Sequence, residues 1–421
     1  MTKTLLALLL GAALAHSAAV PKPAIQINTF EDTFALYALD AQVRHKYHRA
    51  SAFFAELHKK TSKSEYLYQS LKMLEHANDT KSLAKMTSEA LAKSPNDEIL
   101  KRFEVIALLK GGDFAQASQK AFLLTQNSPK APDHLLYAEA RLKLADYEGA
   151  LGALKKAYAM GFDHNTAERI ALIEYAHLGR KTEAVQFLKE HIGTQGSSVV
   201  IGKRLASFYA DGGALADAAA MYEQTYDGFG DTASAEEALK IHLFLKDYAK
   251  MTALLEKSHL NDSMLLDLYV QARAFDKASV LAMTLYEEQD NPLYLAQSAV
   301  YRYEGSADRN DPVLVADVVA KLKKAADDIE EPLYLNYLGY LMIDHDVNVS
   351  EGMGYVRRAL EKQPDSPFYI DSLAWGHYKR GECAEALRLI KQVESMIGTD
   401  EQEVRDHLKA IEACKPKEKT K

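Results

Sequence analysis

The chain is poor in the features by which reactive sites are usually recognised. It has two cysteines and one tryptophan among 421 residues. It holds no phosphate-cradling glycine loop, no HExxH helix and no nucleophile elbow, so no enzyme, cofactor or metal site is expected. With 21 glycines and 11 prolines it is not a low-complexity chain. It also lacks a basic excess. The formal net charge is −8, which excludes a general nucleic-acid binder built on a basic stripe and gives no reason for attachment to an anionic membrane surface. Beyond the N-terminus no segment is long and apolar enough to span a bilayer.

The hydrophobic content of 48% can build a core. A conventional globular chain of this length would divide into two or three domains, whereas a repeat array need not, because each unit only covers its neighbours. The first residues predict an export signal over 1–19. Lys3 is the charged end, Leu5 to Leu14 an apolar run, and small residues follow at Ala15-His16-Ser17 or Ser17-Ala18-Ala19. No cysteine there suits a lipid anchor. An extended leader is expected over 20–30, and the protein is expected to be periplasmic or secreted.

The rest of the chain is periodic. Gly112, Ala145, Gly179 and Gly213 each precede a small residue by five positions, namely Ala117, Ala150, Ala184 and Ala218. Those small residues step by 33, 34 and 34 (150−117, 184−150, 218−184). Arg273 before Ala278 and Gly381 before Ala386 follow the same spacing. Aromatics often sit three before the small residue, as with Tyr47, Phe114, Tyr147, Tyr248 and Phe275. Each unit reads as two amphipathic helices, A and B, with apolar positions at i, i+3, i+4 and i+7. Pro132, Pro292, Pro332 and Pro367 open helix A, where a missing N–H costs nothing.

A two-helix unit of about 34 residues, repeated in register, resembles the tetratricopeptide repeat (TPR) family. The implied fold is an all-α, right-handed helical solenoid of about eleven repeats. Units are expected to start near Glu31, Ser64, Glu98, Ala131, Asn165, Val199, Thr232, His259, Asn291, Pro332 and Pro367. The arrays run over 31–231 and 232–399, and a capping helix with a polar tail follows over 400–421. The period breaks after an irregular stretch, Asp227-Gly-Phe-Gly-Asp231, and at the polar loop Glu304-Gly-Ser-Ala-Asp-Arg-Asn-Asp-Pro312, where hinges or boundaries between sub-arrays are expected. The segment 335–387 is similar to exported bacterial repeat proteins with a paired LGY…ALEKxPDxPxYxDSLGW signature. It departs at Ala374, usually Gly, and at Gly352, usually Ala.

The resemblance implies binding of a protein or peptide on the concave surface lined by helix A. In this phase the groove positions are Arg302, Tyr303, Asn336, Tyr340, Asp344, Asp371, Trp375 and Tyr378. Tyr, Trp and Arg are frequent binding anchors. The reading is a scaffold or adaptor of a cell-envelope complex. The alternative is a glycan- or peptidoglycan-binding module, since aromatic faces also stack on sugars.

Three smaller signals remain. Cys383 and Cys414 would meet at one end of an antiparallel helix pair and bridge in an oxidising compartment, or they are a buried and a free thiol. Asn348 lies in an acidic N-glycosylation sequon, Asp346-Val-Asn-Val-Ser350. His45 and His48 have helical spacing, but no third ligand is nearby, so they read as a solvated helix end. Asp308 to Asp311 reads as a turn without the glycine and glutamate of a calcium loop, and Arg102, Arg169 and Lys203 as a solubilising stripe.

Overall fold

The computed structural model describes residues 30–126 and 129–415. The expected signal segment, most of the leader and the last residues of the tail lie outside them. Among the described residues there are 23 α-helices and no strand. The chain parts into two compact units, 1–208 and 209–421. The division falls inside a helix, ahead of the break expected at Asp231.

In the first unit the helices run in A and B pairs. They are α1 (Phe30–Val43) and α2 (Tyr47–Thr61), α3 (Ser64–His76) and α4 (Thr80–Lys93), α5 (Glu98–Gly111) and α6 (Phe114–Leu124), and α7 (Ala131–Lys143) and α8 (Tyr147–Ala159). Then come α9 (His164–Leu172), which runs into a π turn at Ile173–His177, α10 (Lys181–Gln195) and α11 (Val199–Asp211). The second unit continues with α12 (Leu215–Phe229), α13 (Thr232–Leu245), α14 (Tyr248–Ser258), α15 (Asp262–Gln271) and α16 (Phe275–Gln289). It goes on through α17 (Pro292–Gly305), α18 (Pro312–Ala326), α19 (Pro332–Asp344), α20 (Val349–Lys362), α21 (Pro367–Lys379), α22 (Cys383–Ile397) and α23 (Gln402–Glu412).

The A helices begin where the periodicity places them. The largest offset is His259 against the observed start at Asp262. The Asp227–Phe229 stretch is not irregular as expected. It is helical, and Gly230 alone turns left-handed (φ 66°) to end α12. The step from Thr232 to the next A helix at Asp262 is 30 (262−232) and not the expected 27.

One turn chemistry recurs between helices A and B. A residue in the left-handed region ends helix A, and the next residue caps helix B. Gly112, Gly179, Gly213 and Gly381 occupy that position, and so do His45, Asn78, Ala145, Lys246 and Arg273 without glycine's freedom. In four units an aspartate follows, and its carboxylate accepts the backbone N–H three residues on. These bonds are Asp79 to Ser82, Asp113 to Gln116, Asp146 to Gly149 and Asp247 to Lys250. The first units therefore keep the repeat although their turn glycine is absent.

The small residue five positions after the turn is the crossing point of the pair. Ala50, Ala117, Ala150, Ala184, Ala218, Ala278 and Ala386 are all fully buried. In α19 and α20 the crossing is made by two glycines. A Cβ on Gly339 would lie 2.6 Å from the Gly352 carbonyl oxygen and 2.7 Å from Val356 Cγ2, while one on Gly354 would meet open space. The exchanged Gly352 of the signature is thus half of a backbone-to-backbone contact.

Neighbouring repeats are joined by polar bonds about one period apart. In the first unit Arg102 holds Asp133 through Nε at 2.6 Å and Nη2 at 3.0 Å, and Arg169 donates to Glu139 at 2.8 Å. Arg204 reaches Glu168. The basic stripe expected at Arg102 and Arg169 is consequently tied to acids of the preceding or following A helix. Burial of Asp133 opposes ionisation, yet the Arg102 bonds and the Lys130 backbone N–H hold its carboxyl below the usual range.

In the second unit a disulfide joins Cys383, at the start of α22, to Cys414, just beyond α23, with Cα atoms 5.7 Å apart. Among the described residues no helix is long and apolar enough to cross a membrane.

Two predictions follow from this packing. Gly339→Ala lowers unfolding stability by about 1–3 kcal/mol, because the added Cβ meets the backbone of Gly352 and, at 3.0 Å, that of Val356. Gly354→Ala leaves it unchanged or raises it by about 0.5–1 kcal/mol. Urea denaturation followed by circular dichroism distinguishes them. The second concerns buried histidines of the first unit. Desolvation pushes His134 and His191 below the ordinary imidazole range, with Lys156 and His164 adding to it respectively. They are neutral in the fold and protonate more readily when unfolded, so stability is complete above about pH 6.5 and falls as the pH drops below that. The urea midpoint should decline between about pH 7.5 and about pH 5.5, and His134→Gln should reduce the decline.

Candidate functional site

In the second unit the A helices α17, α19 and α21 present one face to a cavity of about 410 Å³, and the start of α23 closes one side. Each helix contributes at its own register. Tyr303 and Glu304 come from the last turn of α17. Asn336, Tyr337, Tyr340, Leu341 and Asp344 follow the i, i+3, i+4 face of α19, and Phe368, Asp371 and Ser372 that of α21. Arg309 enters from the loop between α17 and α18, and Glu401, Glu403 and Val404 from the chain that starts α23.

Five of the eight groove residues expected from the repeat phase lie in this wall: Tyr303, Asn336, Tyr340, Asp344 and Asp371. Three do not. Arg302 points along the outside, with Asp317 at 3.5 Å. Trp375 and Tyr378 stack on each other at 4.7 Å, and Trp375 also stacks on His407 of α23 at 4.1 Å. The groove drawn from helix A alone was open at this end, but α23 lies across it. The cap is amphipathic, and its Val404 and Ile411 pack with Ile370, Ala374, Leu389 and Val393, with Trp375 and Tyr378 partly buried against that cluster.

The polar groups of the wall are tied to one another. Trp375 Nε1 donates to Asp344 Oδ1 at 2.9 Å. Tyr337 OH donates to Glu304 Oε1 at 2.7 Å, and Arg309 holds the other oxygen of that carboxylate at 2.7 Å. Tyr303 OH meets His345 Nε2 at 2.8 Å, and Arg309 lies over the Tyr303 ring at 5.6 Å. His407 Nδ1 meets Asp371 Oδ2 at 2.8 Å, both residues being buried. Burial, with a carboxylate acceptor in each case, pushes the phenols of Tyr337 and Tyr340 far above their ordinary range, and burial raises that of Tyr303. All three remain neutral hydroxyls near neutral pH.

Repeat phase did not point to Glu304, Arg309, Tyr337, Glu401 or Glu403. Tyr337 was legible, since it lies three residues before Tyr340 on the same face. The two cap glutamates were not, because the cap lies outside the repeat and nothing in its own sequence says where it docks.

The remaining signals find structural roles. His45 sits in the left-handed turn before α2 and meets Tyr47 OH at 2.7 Å, while His48 faces Asp79 at 3.7 Å. They do not share a helix face. Among the described residues no group of three or more His, Cys, Asp or Glu is placed to hold a metal ion. Asp308 organises its turn by accepting the Asn310 N–H at 3.0 Å. Asn348 caps α20, its Oδ1 accepting from the Glu351 N–H at 3.2 Å, and its exposed Nδ2 donates to Glu351 Oε2 at 3.0 Å.

No family model matches the chain. A TPR repeat-containing protein of Pseudomonas aeruginosa is 32% identical over 63 residues, which is 15% of this chain and 11% of that relative's length. Among solved structures, the APC/C hetero-tetramer Cut9-Hcn1 matches with a TM-score of 0.39 and 10% identity, over 91% of this chain and 96% of that one. TTC0263, a thermophilic TPR protein in Thermus thermophilus, matches with a TM-score of 0.32 and 18% identity, over 51% of this chain and 99% of that one. TM-scores and identities this low say nothing of what this chain binds. The architecture is that of a TPR-type array of two-helix repeats.

A prediction tests the lock on the cap. The denatured, unreduced protein should show no free thiol. Cys414→Ser should destabilise the C-terminal end by roughly 3–4 kcal/mol in the chain-entropy account of a loop this size. Trp375, the one tryptophan, reports it. Its emission should shift to the red at lower urea than in the parent protein.

Proposed function

We propose that this array is an exported scaffold or adaptor that grips a segment of another protein in the cavity framed by α17, α19 and α21. Its place is in the assembly or maintenance of a cell-envelope complex. The observation that carries the reading is the convergence of helix A side chains from three successive repeats on one cavity, with Phe368 at its edge 57% exposed. Large exposed aromatics beside a concave polar site are what a protein partner anchors on. Export is supported by the charged and apolar pattern of Lys3 and Leu5 to Leu14 and by the paired cysteines, which suit an oxidising compartment. Trp375 stacks on Tyr378 and His407 and so offers no open face to a sugar, which leaves Phe368 as the exposed ring at this site.

A photo-crosslinking residue at Phe368 tests the proposal in the native host. A discrete protein adduct is expected from that position and not from Met396, an exposed residue of α22. Absence of a protein adduct at Phe368, with binding to purified peptidoglycan instead, would overturn it.

A further inference from the structure

The cavity wall has one predominant sign. Five carboxylates line it, from Glu304, Asp344, Asp371, Glu401 and Glu403. Against them stands Arg309, already paired with Glu304. Carboxylates beside neutral tyrosine rings are the surroundings that attract organic cations, through charge-assisted bonds and through the ring faces.

A separate observation points the same way. Asp371 is 5% exposed. One of its oxygens is bonded to His407, while the other, Oδ1, has no partner among the described residues. Asn336 Oδ1, in the same wall, is likewise unpartnered. A buried carboxylate oxygen without a donor is costly, and a donor that brings positive charge removes that cost. The acceptors that are left over are oxygens, and the charge around them is negative. The volume fits a side-chain head with part of its stem. A bare metal ion is the poorer match, because no three ligands are gathered to hold one among the described residues.

We propose that this cavity receives an organic cation, the guanidinium or ammonium end of an arginine or lysine side chain on the bound segment. Asp371 and Asn336 accept its N–H groups, and the tyrosines enclose its stem. The inference rests on the adaptor reading, because the cation arrives on a protein.

The test uses the full chain, with isothermal calorimetry and Trp375 emission as readouts. The probes are acetyl-Gly-Arg-Gly-amide, its citrulline analogue, which keeps the shape without the charge, and methylguanidinium. The arginine peptide should bind saturably and about tenfold more tightly than the citrulline peptide, with added salt weakening it. Asp371→Asn should lower its affinity about tenfold. Glu401→Gln, on an exposed side chain, should lower it by a smaller factor without loss of helicity. Equal affinity for the arginine and citrulline peptides overturns the proposal, as does the absence of saturable binding by the arginine peptide. Methylguanidinium binding as tightly as the peptide also overturns it, since the cavity would then serve a free small cation. A protein adduct at Phe368 alongside any of these failures leaves the adaptor reading standing.

Discussion

The close crossing of helix A and helix B within each repeat is the contact on which the rest depends. In most repeats this position of helix B is an alanine, fully buried from Ala50 to Ala386, and in two repeats Leu83 and Met251 fill it and are buried as well. In α19 and α20 the constraint is tightest, since Gly339 and Gly352 meet through backbone. Once the pair is set, its outer faces present apolar surface that only another pair can cover.

The turn serves the crossing. A left-handed residue reverses the chain, and an aspartate cap starts helix B at a fixed offset from the small residue. That the turn survives at Ala145, Lys246 and Arg273 shows that packing imposes the conformation where the residue does not favour it. The polar bonds about one period apart then fix neighbouring repeats. Most are partly exposed and individually worth about 0–1 kcal/mol. Arg102 with buried Asp133 is the exception, a bidentate pair that breaks only at the cost of a stranded charge.

The site is a by-product of that stacking and of one further element. Repetition brings the same helix A face into line in α17, α19 and α21 and so collects tyrosines and carboxylates in one wall. The terminal helix does what repetition cannot. It covers Trp375, pairs His407 with Asp371 and adds two glutamates to the rim. The disulfide secures it there.

The all-α class, the two-helix period and the starts of the A helices were settled by the sequence alone, because each depends on contacts a few residues to one turn away: small residues, caps, prolines and apolar spacing. Five of the expected positions line one cavity, since a face that repeats in sequence repeats in space. The fate of Trp375 and Tyr378 did not follow from the period, nor did the acidity of the cavity. The stacking of Trp375 and the two cap glutamates depend on where α23 docks, and an amphipathic helix carries the need for an apolar partner without naming it. Only the tertiary structure decided that the partner is the cluster of Ile370, Ala374, Leu389 and Val393 with Trp375 beside it, and that α23 closes one side of the cavity.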